Sequence, residues 1–474
     1  MLTLTAIYAI LSLFWTGFAD WVAPGIIVAA YNGRSLSVLN WVFEGHTSLS
    51  IGHYLDRWSV TAAALQIAMI LHLALVLFIV RIDLKHRVRL PNTPGSALNF
   101  NFVLIAFSAA FLALTALSWV RADYPGYVDE WTGVLAGRDP WPSETPRKPF
   151  NAYGPLFNVL APLVWLNPLA NKLLFALLYL AYVVWLIKDF APRRGFVTIS
   201  WPWLGLWLLN PFPWVEIAYL GYSDVLVALT CVAAVHSLLD GKDRVSGTYL
   251  ALGILLKFMP IVILPFLVFS ERRFHVRLLG FCIGVVVFGF SVSVVVWGTS
   301  TFLPLTFAMT RYPYFSIYDV FASTKPLDWL EKPLLVTGGL GVFAWCVLRR
   351  TGPTLSAALA VSITLLFYRL GYINYYMVPF FLILYWVVSH WEQSEAHPVL
   401  SALLAGCFAL LAFADLVHWT MGQFYSSVIV FKFLLGLGLL VGLAQFSVKP
   451  SLTSSFPEHF PRRLNRRSSH AERI

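Results

Sequence analysis

Charged residues are scarce in this 474-residue chain, since Asp, Glu, Lys and Arg together make up only 12% of it. Because a soluble globular protein carries about 25% charged residues, this composition excludes a soluble enzyme. Hydrophobic residues reach 59%, aromatic residues 16% and the mean hydropathy +0.73, which is more apolar surface than one protein core can cover. The sequence therefore predicts an all-α, polytopic membrane protein.

Cysteine is scarce as well, and the four cysteines lie inside apolar runs without metal-ligand spacing. They indicate neither a disulfide framework nor a zinc site. No convincing cluster of His and Asp predicts a metal, although the adjacent Asp129 and Glu130 leave a divalent cation open, and no cofactor is expected. The net charge of +10 would suggest nucleic acid as the partner of a soluble protein, but here it reports membrane orientation and no nucleic acid is expected.

Apolar runs near the length of about 20 residues that crosses a bilayer follow one another along the chain. They cover 2–30, 58–80, 99–120, 171–187, 195–210, 225–239, 278–297, 333–348, 353–368, 376–389, 399–415 and 427–446. A further run, 247–269, is broken by Lys257 and Pro260, which predicts a hairpin of two short helices. Residues 154–166 are expected to form a peripheral or re-entrant helix. The total is about 12–14 transmembrane helices.

Lys and Arg concentrate in short connectors and in the C-terminal tail, which predicts that these segments and both termini are cytoplasmic. Two long polar segments, 121–153 and 298–332, are then external and are expected to carry short peripheral helices and the functional residues. The chain divides into an N-terminal transmembrane hairpin with a basic loop (1–98), a transmembrane core (99–390), C-terminal transmembrane helices (391–448) and a basic, disordered tail on anionic membrane lipid (449–474).

The first external segment begins with three carboxylates within eight residues, Asp123, Asp129 and Glu130. A carboxylate at the edge of the bilayer, partly shielded by aromatic rings, can have its pKa raised to a value that suits a general base. The alternative is that these carboxylates are solvated or pair with Arg121 and Arg138. For an isolated acidic cluster this alternative is the favoured one.

The wider pattern is informative, because Asp123, Tyr127, Leu135, Gly137 and Trp141 are followed by Tyr153-Gly-Pro155-Leu. This resembles the first external loop of polyprenol-phosphate-dependent glycosyltransferases of the GT-C superfamily, especially glycosyltransferase family 87. That loop reads Asp-x-x-x-Tyr, then Leu-x-Gly-x-x-Pro-Tyr, then Tyr-Pro-Pro-Leu. Here Trp141 replaces a Tyr and Gly154 the first Pro. The resemblance implies a GT-C-like fold with Asp123 as the base that activates the acceptor.

Two further motifs extend the resemblance. Gly221-Tyr-Ser-Asp224 is similar to the start of a family helix, although Asp is also a preferred N-cap residue and capping is the favoured role for Asp224. Leu-Leu-Lys257-Phe-Met-Pro260 is similar to the family hairpin in which a Lys faces the lipid phosphate. An ammonium at such a break is expensive and by default functional. The alternative is that Lys257 snorkels to the membrane interface.

The second external segment contains Arg311 and, shortly after it, Ser316, in a region similar to the late external loop of these transferases. Arg311 offers a fork that fits a phosphate, but it could equally be solvated or pair with Asp319. Arg369 and Tyr372 begin a Tyr-rich segment before Pro379, which is similar to a polar helix junction of the family. The alternative is that its aromatic residues form an interfacial belt.

Together these features predict an integral membrane glycosyltransferase of the hexosyltransferase class, with its active site on the external face. The resemblance implies that a hexose or pentose, with mannose favoured, passes from a polyprenyl phosphate sugar to an acceptor hydroxyl on a glycolipid, glycan or other molecule, with inversion. Asp123 is the predicted base and Lys257 and Arg311 the predicted phosphate ligands. Substrate contacts are predicted for Tyr127, Asp129, Glu130, Tyr153, Asp224, Ser316, Arg369 and Tyr372.

Two other functions fit a polytopic protein that is basic on one side. A lipid or solute transporter or flippase is the first alternative, but transporters usually carry paired repeats with broken helices in both halves, and only one strongly broken helix is evident here. A non-catalytic scaffold is the second, and it leaves Lys257 and the acidic loop without a role.

Overall fold

The computed structural model describes residues 87–89, 94–118, 123–141, 153–193, 198–200, 207–208, 210–270, 273–305, 314–320, 330–390, 397–421 and 425–448. The predicted helices 2–30 and 58–80, the tail 449–474 and the predicted site residue Arg311 lie outside the described residues.

Nearly all of the described chain is helical. The α-helices are α1 (Pro94–Leu117), α2 (Asp123–Leu135), α3 (Ala170–Trp185), α4 (Asp224–Leu239), α5 (Asp243–Leu256), α6 (Leu264–Val268), α7 (Val276–Trp297), α8 (Ile317–Val320), α9 (Glu331–Arg349), α10 (Pro353–Phe367), α11 (Met377–Ser389), α12 (Pro398–Met421) and α13 (Tyr425–Val448). One-turn α segments lie at Ala191–Arg193 and Pro211–Pro213, 3₁₀ segments at Pro155–Trp165, Met259–Ile263, Gly298–Phe302 and Ile373–Tyr376, and π turns at Leu186–Phe190 and Trp214–Tyr219.

Four of the described helical segments are long and apolar enough to cross a membrane: Ala170–Phe190, Val276–Leu305, Glu331–Arg349 and Ile429–Ser447. The described residues also form shorter apolar helices of 10–17 residues. Large apolar side chains of α7 and α9 point away from the bundle, as expected of a surface covered by lipid. The prediction of an all-α, polytopic membrane protein is confirmed. The total of 12–14 spans stays a prediction, because two of the expected spans precede the described residues.

One predicted helix is wrong at its start. Within the apolar run 195–210, residues Thr198–Ser200 form strand β2, which pairs antiparallel with strand β1 (Arg87–Arg89). Val88 lies opposite Ile199 in this ribbon. Thr and Ile are β-branched and favour strands when a partner strand is available, which the apolar run by itself could not reveal.

The centre of the bundle is the hairpin of α4 and α5, which turns at Gly241 with a φ of 71°. Helix α5 packs so closely on α7 that a β carbon at Gly247 would meet the backbone of Leu278. It ends at Lys257, whose backbone is extended (φ −158°, ψ 135°), and the 3₁₀ segment with Pro260 follows. The break predicted at Lys257 and Pro260 is therefore present.

The helices have two chemically different ends. At one end, here called the basic end, α4 turns into α5. Helix α7 begins at the same end, because His275, directly before α7, has its Nδ1 3.1 Å from Oδ1 of Asp243, the first residue of α5. The basic end carries exposed cations: Lys242, Arg244, Arg273 and Arg277. At the opposite end, here called the site end, α4 begins, α5 stops, and the predicted functional residues gather. Lys332 is also exposed at the site end, at the start of α9. A concentration of Lys and Arg at one end of the helices is the pattern expected across a membrane.

Candidate active site

The site end is organised by a buried ion pair between α4 and the break after α5. Lys257 Nζ lies 2.7 Å from Asp224 Oδ1, and Asn374 Nδ2 donates a 2.8 Å hydrogen bond to Asp224 Oδ2. Asp224 is fully buried and Lys257 is 5% exposed. Each charge therefore satisfies the other in a place where water cannot.

This pair corrects the prediction that Asp224 caps its helix. Asp224 is the first residue of α4, the N-cap position belongs to Ser223, and Ser223 forms no side-chain cap. The carboxylate of Asp224 accepts from Lys257 and Asn374 instead of from the backbone of its own helix. A buried ammonium requires an anion, which outweighs the modest gain of a cap.

Aromatic rings enclose the ammonium of Lys257. Its Nζ atom lies 3.9 Å from the ring centroid of Tyr375 and 5.0 Å from that of Tyr153. Rings at these distances stabilise a cation through their electron-rich faces. The snorkelling alternative does not describe Lys257, because its side chain is turned into the protein.

The first-loop motif is assembled beside this pair. The hydroxyl groups of Tyr127 and Tyr153 lie 2.5 Å apart, and the Tyr153 ring stacks on Phe157 at 4.2 Å. The Trp141 indole donates to the Tyr153 carbonyl at 3.1 Å. Burial raises the pKa of both tyrosine hydroxyls well above its ordinary value, and nearby carboxylates raise it further. Both hydroxyls are therefore neutral donors and acceptors and not bases.

Asp123 begins α2 and is half-buried. Tyr127 follows it by four residues, so both side chains lie on one face of the helix. Tyr127 meets Tyr153, whose ring lies 5.0 Å from Lys257 Nζ, so a chain of contacts leads from the face of α2 that carries Asp123 to Lys257.

The close approach of Gly154 to α5 explains one departure from the family motif. The amide of Gly154 donates to the carbonyl of Leu256 at 2.9 Å, and a β carbon at position 154 would overlap the backbone of Leu255. A proline, which the family has here, lacks this amide hydrogen and adds a ring. The glycine thus lets the first loop touch the last turn of α5, directly before Lys257.

The remaining predicted residues are distributed around this centre. Asp129 is exposed and lies about 240° around α2 from Asp123, while Glu130 is half-buried. The Arg369 guanidinium forks onto Glu331, with Nε 2.7 Å from Oε2 and 2.9 Å from Oε1. Glu331, in the first turn of α9, therefore binds the guanidinium of Arg369.

Ser316 and Tyr372 lie on the side of the site formed by the later segments. Ser316 is buried and its hydroxyl has no hydrogen-bond partner among the described residues. The Tyr372 ring lies 5.2 Å from Tyr314 and 5.5 Å from Tyr375, so a row of rings leads from Tyr314 to Lys257.

Residues 151–371 match the model of glycosyltransferase family 87. The match covers just under half of the chain and includes Tyr153, Asp224 and Lys257, whereas Asp123 and Tyr375 lie outside it. It confirms the resemblance to family 87 and, together with the apolar helices, indicates a membrane glycosyltransferase. No curated protein and no solved structure matches the chain.

Sequence reasoning missed Lys172, which packs against the motif Gly221-Tyr-Ser-Asp224 and the segment before it. Its Nζ donates to the carbonyls of Ser118 and Tyr219, both at 2.7 Å, and the side chain is 1% exposed. Its methylenes fill the space where a β carbon of Gly221 (φ 77°) would lie, at 2.9–3.0 Å. Lys172 thereby fixes the segment that leads into Asp224. The signal was available, because Lys172 stands inside an apolar run.

Asn374 and Tyr375, the partners of Asp224 and Lys257, were also missed as individual site residues, since only their Tyr-rich neighbourhood was singled out. The described residues contain no group of three or more His, Cys, Asp and Glu side chains that could hold a metal ion.

Proposed function

We propose that this protein transfers a sugar from a polyprenyl phosphate sugar to an acceptor hydroxyl at the outer face of a membrane. The observation that carries the proposal is the buried Lys257–Asp224 pair, which Tyr153 and Tyr127 connect to the face of α2 that carries Asp123. A base and a fixed cation beside lipid-facing helices are what this chemistry requires.

In the proposed reaction the acceptor oxygen attacks the anomeric carbon as its proton passes to Asp123. The bond between the anomeric carbon and the phosphate oxygen breaks, and polyprenyl phosphate leaves with the electron pair. Lys257 stabilises the charge that develops on this phosphate, so no general acid is needed. A single displacement of this kind inverts the anomeric configuration.

Asp224 has a positioning role in this scheme. An ammonium offers three N–H donors, and the contact with Asp224 uses one of them, which leaves Lys257 able to donate to phosphate. Because Asp224 and Asn374 hold the ammonium in place, little reorganisation is needed when the donor binds. Arg311 is the proposed second phosphate ligand.

The proposed sugar contacts are the neutral hydroxyls of Tyr127 and Tyr153, the ring of Tyr372 and the hydroxyl of Ser316. Aromatic rings that carry hydroxyls pair an apolar face with a polar tip, which suits a sugar. The isoprenoid tail enters sideways between helices. Mannose is the first sugar to test, and a glycolipid or glycan is the proposed acceptor.

The test is transfer of radiolabel from a panel of polyprenyl phosphate sugars, mannose first, to a membrane lipid extract by the purified protein in lipid. Wild type is compared with Asp123→Asn and with the control Asp240→Asn, which removes an exposed carboxylate at the basic end. We expect transfer by wild type and by Asp240→Asn, and a loss of about 10²-fold or more in Asp123→Asn.

Retained turnover in Asp123→Asn would contradict the assignment of the base while leaving the reaction intact. Absence of transfer from every donor in the panel would contradict the reaction itself and would favour a transporter.

A further inference from the structure

A third buried lysine, Lys432 on α13, lies outside the stretch that matches family 87. It is 3% exposed and stands in a helix long and apolar enough to cross a membrane. Its Nζ atom donates to the backbone carbonyls of Phe315 and Gly371 and lies 4.9 Å from the Phe315 ring centroid. An ammonium in such a helix is expensive, which indicates a function for it.

The two carbonyls belong to segments that are far apart in the chain and paired in space. Tyr314 donates its amide to the carbonyl of Arg369 at 2.9 Å, and Gly371 donates to the carbonyl of Tyr314 at 3.0 Å. Phe315 has a φ of 53°, a conformation that residues other than glycine rarely adopt. Surrounding contacts must hold it there, and Lys432 supplies one of them.

Gly371 leaves no spare room at this junction. A β carbon at position 371 would overlap both Lys432 Nζ and the carbonyl oxygen of Phe315. The lysine, the glycine and the strained Phe315 backbone therefore form one closely fitted unit, here called the lysine clamp (Lys432, Phe315 and Gly371).

The lysine clamp is connected to the ion pair by a short stretch of chain. Asn374, three residues after Gly371, donates to Asp224, and Tyr375 covers the ammonium of Lys257. On the other segment, Tyr314 packs against Tyr372. A shift of either segment would move the groups that hold Lys257.

We propose that Lys432 is a positioning residue for glycosyl transfer: by fixing Phe315 and Gly371 it sets Asn374 and Tyr375 against the Asp224–Lys257 pair. The inference rests on the proposed function. It makes α13 part of the catalytic unit, although neither Lys432 nor any other residue of α13 contributes to the family match.

The test compares Lys432→Met and Lys432→Arg with the control Lys242→Met, which removes an exposed lysine at the basic end. With polyprenyl phosphate mannose or whichever donor the wild type uses, we expect Lys432→Met to lower kcat/KM for the donor by about 10–100-fold. The donor KM should carry this change and the acceptor KM should stay near wild type, because Lys257 is proposed to contact the donor. Lys432→Arg should recover part of the loss.

Amide hydrogen exchange gives a readout independent of turnover. Lys432→Met should raise exchange across 369–376, and Lys242→Met should not. Gly371→Ala, which opens the lysine clamp while keeping the charge, should reproduce both effects if Lys432→Met does not fold.

Three outcomes separate the claims. Wild-type donor kinetics in both Lys432→Met and Gly371→Ala would overturn the positioning role. Equal losses in donor and acceptor parameters together with a lowered unfolding temperature would reduce Lys432 to a structural role. A wild-type protein that transfers no sugar would remove the proposed function, while the exchange data would still report whether Lys432 holds the two segments.

Discussion

The α carbon of Gly154 lies against the backbone of Leu255, with no space for a side chain between the first loop and the end of α5. Gly154→Ala should therefore push the loop away from Lys257 and cost about 1–3 kcal/mol of stability through overpacking. The unfolding midpoint in detergent and the rate of transfer should both fall. Gly126→Ala is the matched control, because nothing lies within 4 Å of a β carbon there. Equal midpoints for the two variants would contradict the close approach.

Asp224 and Lys257 stabilise each other, so replacing either one alone should lower the free energy of unfolding more than replacing both. Asp224→Asn or Lys257→Met leaves an uncompensated buried charge and should cost about 3–5 kcal/mol, whereas the double variant should recover much of that stability. Transfer should be lost in all three. Denaturant unfolding of the four proteins forms a double-mutant cycle that measures the coupling.

The exposed pair of Asp240 and Lys242, 3.0 Å apart at the basic end, is the control for this cycle. Removing it should change stability by no more than about 1 kcal/mol. A similar coupling energy for the exposed and the buried pair would refute the role given to burial.

Tyr127 and Tyr153 predict a loss of stability at high pH. Burial raises the pKa of each hydroxyl well above the ordinary value of 10.0, so the folded chain keeps these protons after the unfolded chain releases them. Stability is therefore unaffected below pH 10 and falls as the pH rises above it. Unfolding midpoints measured from pH 7 to 11 should show this fall in wild type and a smaller one in Tyr127→Phe. Identical alkaline profiles would argue against buried hydroxyls.

Glu216 is fully buried in the π turn Trp214–Tyr219 and lies beside the carboxyl group of Asp415. Two buried carboxyls in such proximity cannot both be ionised. Glu216→Gln should thus stay within about 1 kcal/mol of wild type, while Glu216→Ala should lose more through the cavity it leaves. Thermal unfolding distinguishes them, and an equally large loss in both would mean that the charge of Glu216 is needed.

The sequence was sufficient for most helices and for the break at Lys257, because apolar length and a lone ammonium in an apolar run are local signals. The loop motif also linked Tyr127 with Tyr153, whose hydroxyls lie 2.5 Å apart, while the role of Asp123 stays a prediction. The sequence did not predict that Asp224 binds Lys257, since an Asp before an apolar run is equally typical of a cap. The choice between the roles depends on a lysine 33 residues away.

Contacts between residues far apart in the chain could not be predicted from the sequence for the same reason. Asn374 meets Asp224 across 150 residues, and Lys432 meets Phe315 across 117. The strand Thr198–Ser200 was missed because its partner Arg87–Arg89 lies in a basic connector. Lys172 was different, because its place inside an apolar run carried the same information as that of Lys257.

The Asp224–Lys257 pair lies within a single hairpin, whose two helices follow each other along the chain. A nascent chain that delivers this hairpin to the bilayer as one unit brings the carboxylate of Asp224 and the ammonium of Lys257 together. Neither group then has to cross the hydrocarbon as a lone ion. The charge proposed to serve the reaction is then also the charge that is neutralised at insertion. Variants that lose only Asp224 should be made in normal amounts by the ribosome and be recovered in smaller amounts from the membrane.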